Sequence, residues 1–130
     1  MKNNNPLVQE WLDRANDDEL NARSIFKHKD GTPNAVCFLC QQGAEKLLKS
    51  ALVFLKKETP KIHDLITLKE ILKTHGFDAS SLNSDLASLS KYYIGTRYPG
   101  DYEEFSWTDA QKALESLEKI KSFLNASLRG

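Results

Sequence analysis

The stretch from Ala35 to Leu55, AVCFLCQQGAEKLLKSALVFL, constrains the fold of this chain more than any other. It is long, mostly apolar and helical in rhythm, as expected of the central helix of a bundle. At about 100° per residue, Cys37, Ala44, Leu48, Ala51, Leu52 and Leu55 share one face. Gln41 falls near the middle of that face, with Glu45, Lys49 and Gln42 along its edge. An amide and two opposite charges on a packing surface are unfavourable unless they find partners. Two readings meet that requirement. Gln41, Glu45 and Lys49 form an i, i+4 ladder at a wet seam, or they line a polar pocket or a subunit interface.

The rest of the chain supplies helices to surround this rod. Asn5-Pro6 is a cap followed by proline at the first helical position. It opens a helix through LVQEWLDRANDDELNARSIFKH, with Leu7, Trp11, Ala15, Leu20, Ala22, Ile25 and Phe26 as the expected buried set. Its acidic middle, Asp13, Asp17, Asp18 and Glu19, reads as a solvated face. Lys29-Asp30-Gly31 is a turn, and Thr32-Pro33 launches the central helix, which ends in the basic loop Lys56 to Lys61. Asp64 caps a helix from Leu65 to about His75, stopped by Gly76. Ser80 or Ser81 opens a fourth helix through Leu82, Leu86, Leu89 and Tyr93, ending near Gly95-Thr96. Thr108 and Gln111 match a capping box for the last helix, whose stripe is Ala113, Leu114, Leu117, Ile120, Phe123 and Leu124. Helices of these lengths joined by short loops pack as an all-α, antiparallel up-and-down bundle of four to five helices.

With 130 residues, 40% of them hydrophobic, the chain reads as one domain spanning 1–130 with a core that needs no staples. Lys plus Arg and Asp plus Glu number 18 each, so no global positive field advertises nucleic acid. Cys37 and Cys40 point the same way from one helix. Without a second cysteine pair they read as core residues in a reducing cytoplasm. His28, His63 and His75 are too scattered to complete a metal site, and no cofactor motif is present. The polar start, MKNNNPLVQEW, is unlike a signal peptide, and no apolar run reaches the roughly 20 residues of a membrane span.

Two loops carry residue types suited to chemistry. In Lys61-Ile62-His63-Asp64-Leu65, His63 beside Asp64 is either an oriented, tunable base or a surface histidine next to a helix cap. In Tyr92-Tyr93-Ile94-Gly95-Thr96-Arg97-Tyr98-Pro99, a guanidinium sits among rings. That combination suits a phosphate or base platform, or equally an arginine stacked on tyrosines to seal the end of the bundle.

FLCQQGAEKLLKSAL, then PKIHDL, then YYIGTRYP, in this order, resemble the HEPN domain of the prokaryotic stand-alone type over nearly the whole chain. The resemblance implies a small helical bundle that commonly forms homodimers. Such proteins bind nucleotides or RNA and are often paired with a minimal nucleotidyltransferase. It places Gln42, Glu45, Lys49, His63, Asp64, Arg97 and Tyr98 at the family's characteristic polar positions. Members that are metal-independent, toxin-type ribonucleases carry an Arg followed four to six residues later by a His. Here Arg97 is followed by Tyr98, Pro99, Gly100, Asp101, Tyr102, Glu103 and Glu104, so that histidine is missing. Arg23 and His28 have the interval, but at the end of the first helix. The expectation is therefore a binding module without efficient catalysis. The alternatives are a ribonuclease using Arg97 with His63 as a displaced acid/base, and a purely structural dimerisation module.

Overall fold

The computed structural model describes residues 4–95 and 98–128 of the chain. Among these residues there are five α-helices and no strand: α1 (Pro6–His28), α2 (Pro33–Phe54), α3 (Leu65–Thr74), α4 (Asn83–Ser90) and α5 (Trp107–Ser127). Single 3-10 turns at Ser80–Leu82 and Pro99–Asp101 precede α4 and interrupt the α4–α5 loop. No helix among the described residues is long and apolar enough to cross a membrane.

The caps explain where the rods begin. Asn5 accepts from the amides of Leu7 and Val8 at 2.9 and 3.3 Å, and Thr32 accepts from Ala35 at 3.1 Å, each with proline next in sequence. Asp64 accepts from the Thr67 amide at 2.9 Å to start α3, and Gly76 follows that helix with φ of 84°. The last helix starts differently from the sequence expectation. Its capping box is Ser106 with Asp109, so the helix begins at Trp107 and the Thr108/Gln111 pattern lies inside it.

Helix α2 runs through the middle and packs against α1, α3, α4 and α5. Fourteen of its residues are buried, from Val36 to Val53, which is burial on nearly all sides. Gly43 permits the closest approach. A Cβ there would lie 3.3 Å from a Leu117 methyl carbon and 3.7 Å from the Ala15 carbonyl oxygen. The short α1–α2 turn folds these two helices back on each other. Cys37 and Cys40 are both fully buried free thiols, and burial pushes them up to about 11 and about 12.

Three expectations about the helices need correction. On α1 the buried stripe is Val8, Leu12, Ala15, Glu19 and Ala22, a strict 4-3-4-3 spacing, while Leu7 and Leu20 are 53% and 58% exposed. Trp11, Ile25 and Phe26 are only partly buried against the core. The fourth helix stops at Ser90, and Tyr92, not Tyr93, turns into the core, where its ring meets Phe105 edge-on at 4.8 Å. Nor is the acidic middle of α1 wholly solvated. Asp18 accepts from Lys46 at 2.5 Å, and Glu19 is buried with Arg23 at 2.7 Å and Lys121 at 3.0 Å. These charges clamp α1 to α2 and α5.

Burial by itself would raise the Glu19 pKa, but the hydrogen bonds from Arg23 and Lys121 outweigh it and hold the carboxyl below its usual 4.5. A value depressed by folding adds stability that is complete above the unfolded pKa and lost as pH falls through the folded one. Glu19→Gln should therefore lower stability at pH 7 by about 1–3 kcal/mol. It should also flatten the loss of stability that the parent shows as pH drops below about 4.5. Urea titrations of both proteins from pH 7 to pH 3 check this.

Candidate functional site

A histidine docked on a buried carboxylate is the centre of the site. Gln41, Glu45 and Lys49 succeed one another by one turn along α2, and all three are at most 6% exposed. The loop entering α3 lies against them. The Gln41 amide donates to the His63 carbonyl oxygen at 3.0 Å, fixing the backbone just before the Asp64 cap. The His63 ring then brings Nδ1 to 3.1 and 3.2 Å from the two Glu45 oxygens. Lys49 Nζ donates to Glu45 Oε2 at 3.0 Å, and Gln42 donates to Gln41 Oε1 at 2.7 Å. Among the described residues no buried side-chain polar atom lacks a partner, so the cluster is closed and satisfied.

Because the Glu45 carboxylate paired with Lys49 can only accept, Nδ1 carries a hydrogen, and in the neutral ring Nε2 then carries the lone pair. The imidazole lies flat on Tyr93, centroids 4.4 Å apart and planes at 11°, and the His63 side chain is 45% exposed. Gly95 lies against the same tyrosine ring. A Cβ on it would lie 2.1 Å from Tyr93 Oη and 2.4 Å from Cζ, so the backbone there rests directly on the tyrosine. On the other side, Lys49 Nζ stands 6.0 Å from the Trp11 ring. Leu7 and Trp11 line two shallow hollows of about 650 and 330 Å³ beside it.

The family model of the HEPN domain matches residues 8–127. The chain belongs to the HEPN domain family. Two crystal structures carry the same fold. ST0689, an archaeal HEPN homologue, is 25% identical with a TM-score of 0.76, over 99% of this chain and 100% of that one. TT1696 from Thermus thermophilus is 26% identical with a TM-score of 0.79, over 93% and 98%. No curated protein matches the chain.

Within this HEPN fold, Gln41, Gln42, Glu45, Lys49 and His63 meet as one group, although His63 is far from the others in sequence. Asp64 belongs to a separate, adjoining network. It accepts from Ser90 Oγ at 2.7 Å and from Thr67 Oγ1 at 2.6 Å, which ties the start of α3 to the end of α4 and lowers its pKa. Tyr98 stands apart, 77% exposed. Thr96 and Arg97 lie outside the described residues. Arg23, whose interval to His28 mimics the ribonuclease motif, is committed to Glu19 and Glu118. Ser90 is a contributor that the sequence leaves unmarked, whereas Tyr93 and Gly95 belong to the loop already singled out there. The sequence places Tyr93 among loop aromatics but not against His63.

Deleting one partner of a buried ion pair strands the other charge, whereas replacing both with apolar residues is close to neutral. Glu45→Ala, which leaves Lys49 buried without its carboxylate, should destabilise the fold by about 3–5 kcal/mol. The Glu45→Met/Lys49→Met double variant should recover most of that loss. Chemical denaturation of the single and double variants gives the comparison.

Proposed function

We propose that this HEPN module binds a nucleotide or an RNA end, a partner nucleotidyltransferase, or both, as a homodimer in the cytoplasm, and that it has no efficient catalysis of its own. The observation carrying this reading is the closed Gln41–Glu45–Lys49–His63 cluster under a half-exposed imidazole, with Tyr93 stacked on it. Gly95 lies on Tyr93, and Arg97 and Tyr98 follow it closely in sequence. An aromatic and imidazole surface suits a base, and a guanidinium suits phosphate. The two free, buried cysteines are consistent with a reducing compartment.

Titration calorimetry with ATP, GTP and short RNAs should give binding that weakens as salt rises and loses about tenfold in affinity in Arg97→Ala. Co-purification with a minimal nucleotidyltransferase tests the partner. Silence in both experiments overturns the proposal.

One observation favours the alternative, a metal-independent ribonuclease. Glu45 holds Nδ1 of His63 and leaves Nε2 directed away from its carboxylate partner, which is what a general base requires. RNA incubated with the protein in chelator-containing buffer should then be cleaved, and His63→Ala should remove most of that activity. Intact RNA, or equal cleavage by both proteins, rules this reading out.

A further inference from the structure

We propose that His63 Nε2 is a phosphoryl-acceptor site, modified by small donors of high transfer potential such as acyl phosphates. This goes beyond ligand binding and does not depend on it. Only the Glu45–His63–Tyr93 geometry is required.

Three features carry the proposal. First, the ring has one nitrogen committed and one available. Nδ1 is held at 3.1 and 3.2 Å by Glu45, and among the described residues Nε2 has no hydrogen-bond partner. Second, the carboxylate that holds Nδ1 is itself neutralised by Lys49 at 3.0 Å, which reduces repulsion of an approaching anion. The neighbouring Asp64 carboxylate is turned toward Ser90, Thr67 and the start of α3, and the exposed cation Lys61 lies two residues before His63. Third, the ring cannot swing freely, because Tyr93 covers one face and Gln41 fixes its backbone. A nitrogen nucleophile that is half-exposed, held in place and oriented by a hydrogen-bond acceptor on the opposite ring nitrogen is poised for attack.

The reaction balances without a further reagent. The Nε2 lone pair attacks phosphorus and forms the N–P bond. The bond from phosphorus to the acyl oxygen breaks, and its electron pair leaves on the carboxylate product. The ring keeps its Nδ1 hydrogen, and the positive charge it acquires is compensated by Glu45. No proton has to move.

The protein contains its own controls, since His28 and His75 are exposed and form no ion pair among the described residues. The full chain is incubated with phosphoramidate at neutral pH, and the sites are read by phosphorus NMR and by mass spectrometry of peptides kept alkaline. His63 should be phosphorylated about tenfold faster than His28 and His75, equivalent to about 1.4 kcal/mol of barrier, and on Nε2. Glu45→Gln should bring its rate down to theirs, with circular dichroism confirming the helical fold. Equal rates for the three histidines in the parent protein, attachment at Nδ1, or an unchanged rate in a folded Glu45→Gln variant would each overturn the proposal. The comparison within the parent protein decides the matter even if that variant fails to fold.

Discussion

The constraint that organises this molecule is the burial of α2 on nearly every side while it carries Gln41, Glu45 and Lys49. A central helix can carry such residues only if neighbouring elements bring partners to them, because a carboxylate or ammonium moved out of water alone is strongly disfavoured. Lys49 answers Glu45 within the helix, but one ammonium does not fill both oxygens or occupy the Gln41 amide. The remaining demand is met from outside, by the His63 carbonyl and imidazole. The entry to α3 is thus fixed by polar need as much as by the apolar contacts of Leu65, Leu68 and Leu72. That is why a loop residue holds a defined ring position.

A second charged junction operates by the same logic between α1 and its neighbours. Glu19 faces Arg23 on its own helix and Lys121 on α5, while Asp18 faces Lys46 on α2. The two junctions differ in what they leave at the surface. Around Glu19, every partner is a long flexible cation, and the result is a clamp between helices. Around Glu45, one partner is an aromatic ring with a second nitrogen, and the result is a half-exposed imidazole held in a fixed position at the surface.

What the sequence makes legible divides along the same physical line. Local signals suffice at most of the helix ends, though not at α5, where Ser106 caps in place of Thr108. Asn5, Thr32 and Asp64 cap the helices they are expected to cap, and Gly76 takes the left-handed conformation beyond α3. The polar stripe on α2 is readable because the helical period puts Gln41, Glu45 and Lys49 on adjacent turns. Facing choices on α1 are less readable. Leu7 and Val8, or Trp11 and Leu12, are apolar neighbours about 100° apart, so composition allows either of two stripes, and tertiary packing selects the one through Ala15, Glu19 and Ala22. Glu19 reads as solvated because one of its partners, Lys121, comes from a helix 102 residues away in the chain. The Tyr92/Tyr93 pair is misread for a similar reason. Adjacent residues must diverge, and only the position of Cys37 and Phe105 on one side and His63 on the other determines which ring goes where.

That divergence ties the site to the core. Tyr92 is buried in the core and packs on Phe105, whose amide is held by Asn34 at 2.8 Å. Tyr93, one residue on, covers His63. A shift of this backbone segment would therefore disturb the core and the imidazole together, since one peptide bond separates their two anchors. Gly95 adds a directional limit. With its backbone against Tyr93 Oη, any side chain there would push the tyrosine toward or off the imidazole. Gly95 is consequently joined to the Glu45–His63 pair through the Tyr93 ring, by steric contact and not by a hydrogen bond among the described residues. A site assembled this way depends on side-chain volume at residue 95 as directly as on the charges at residues 45 and 49.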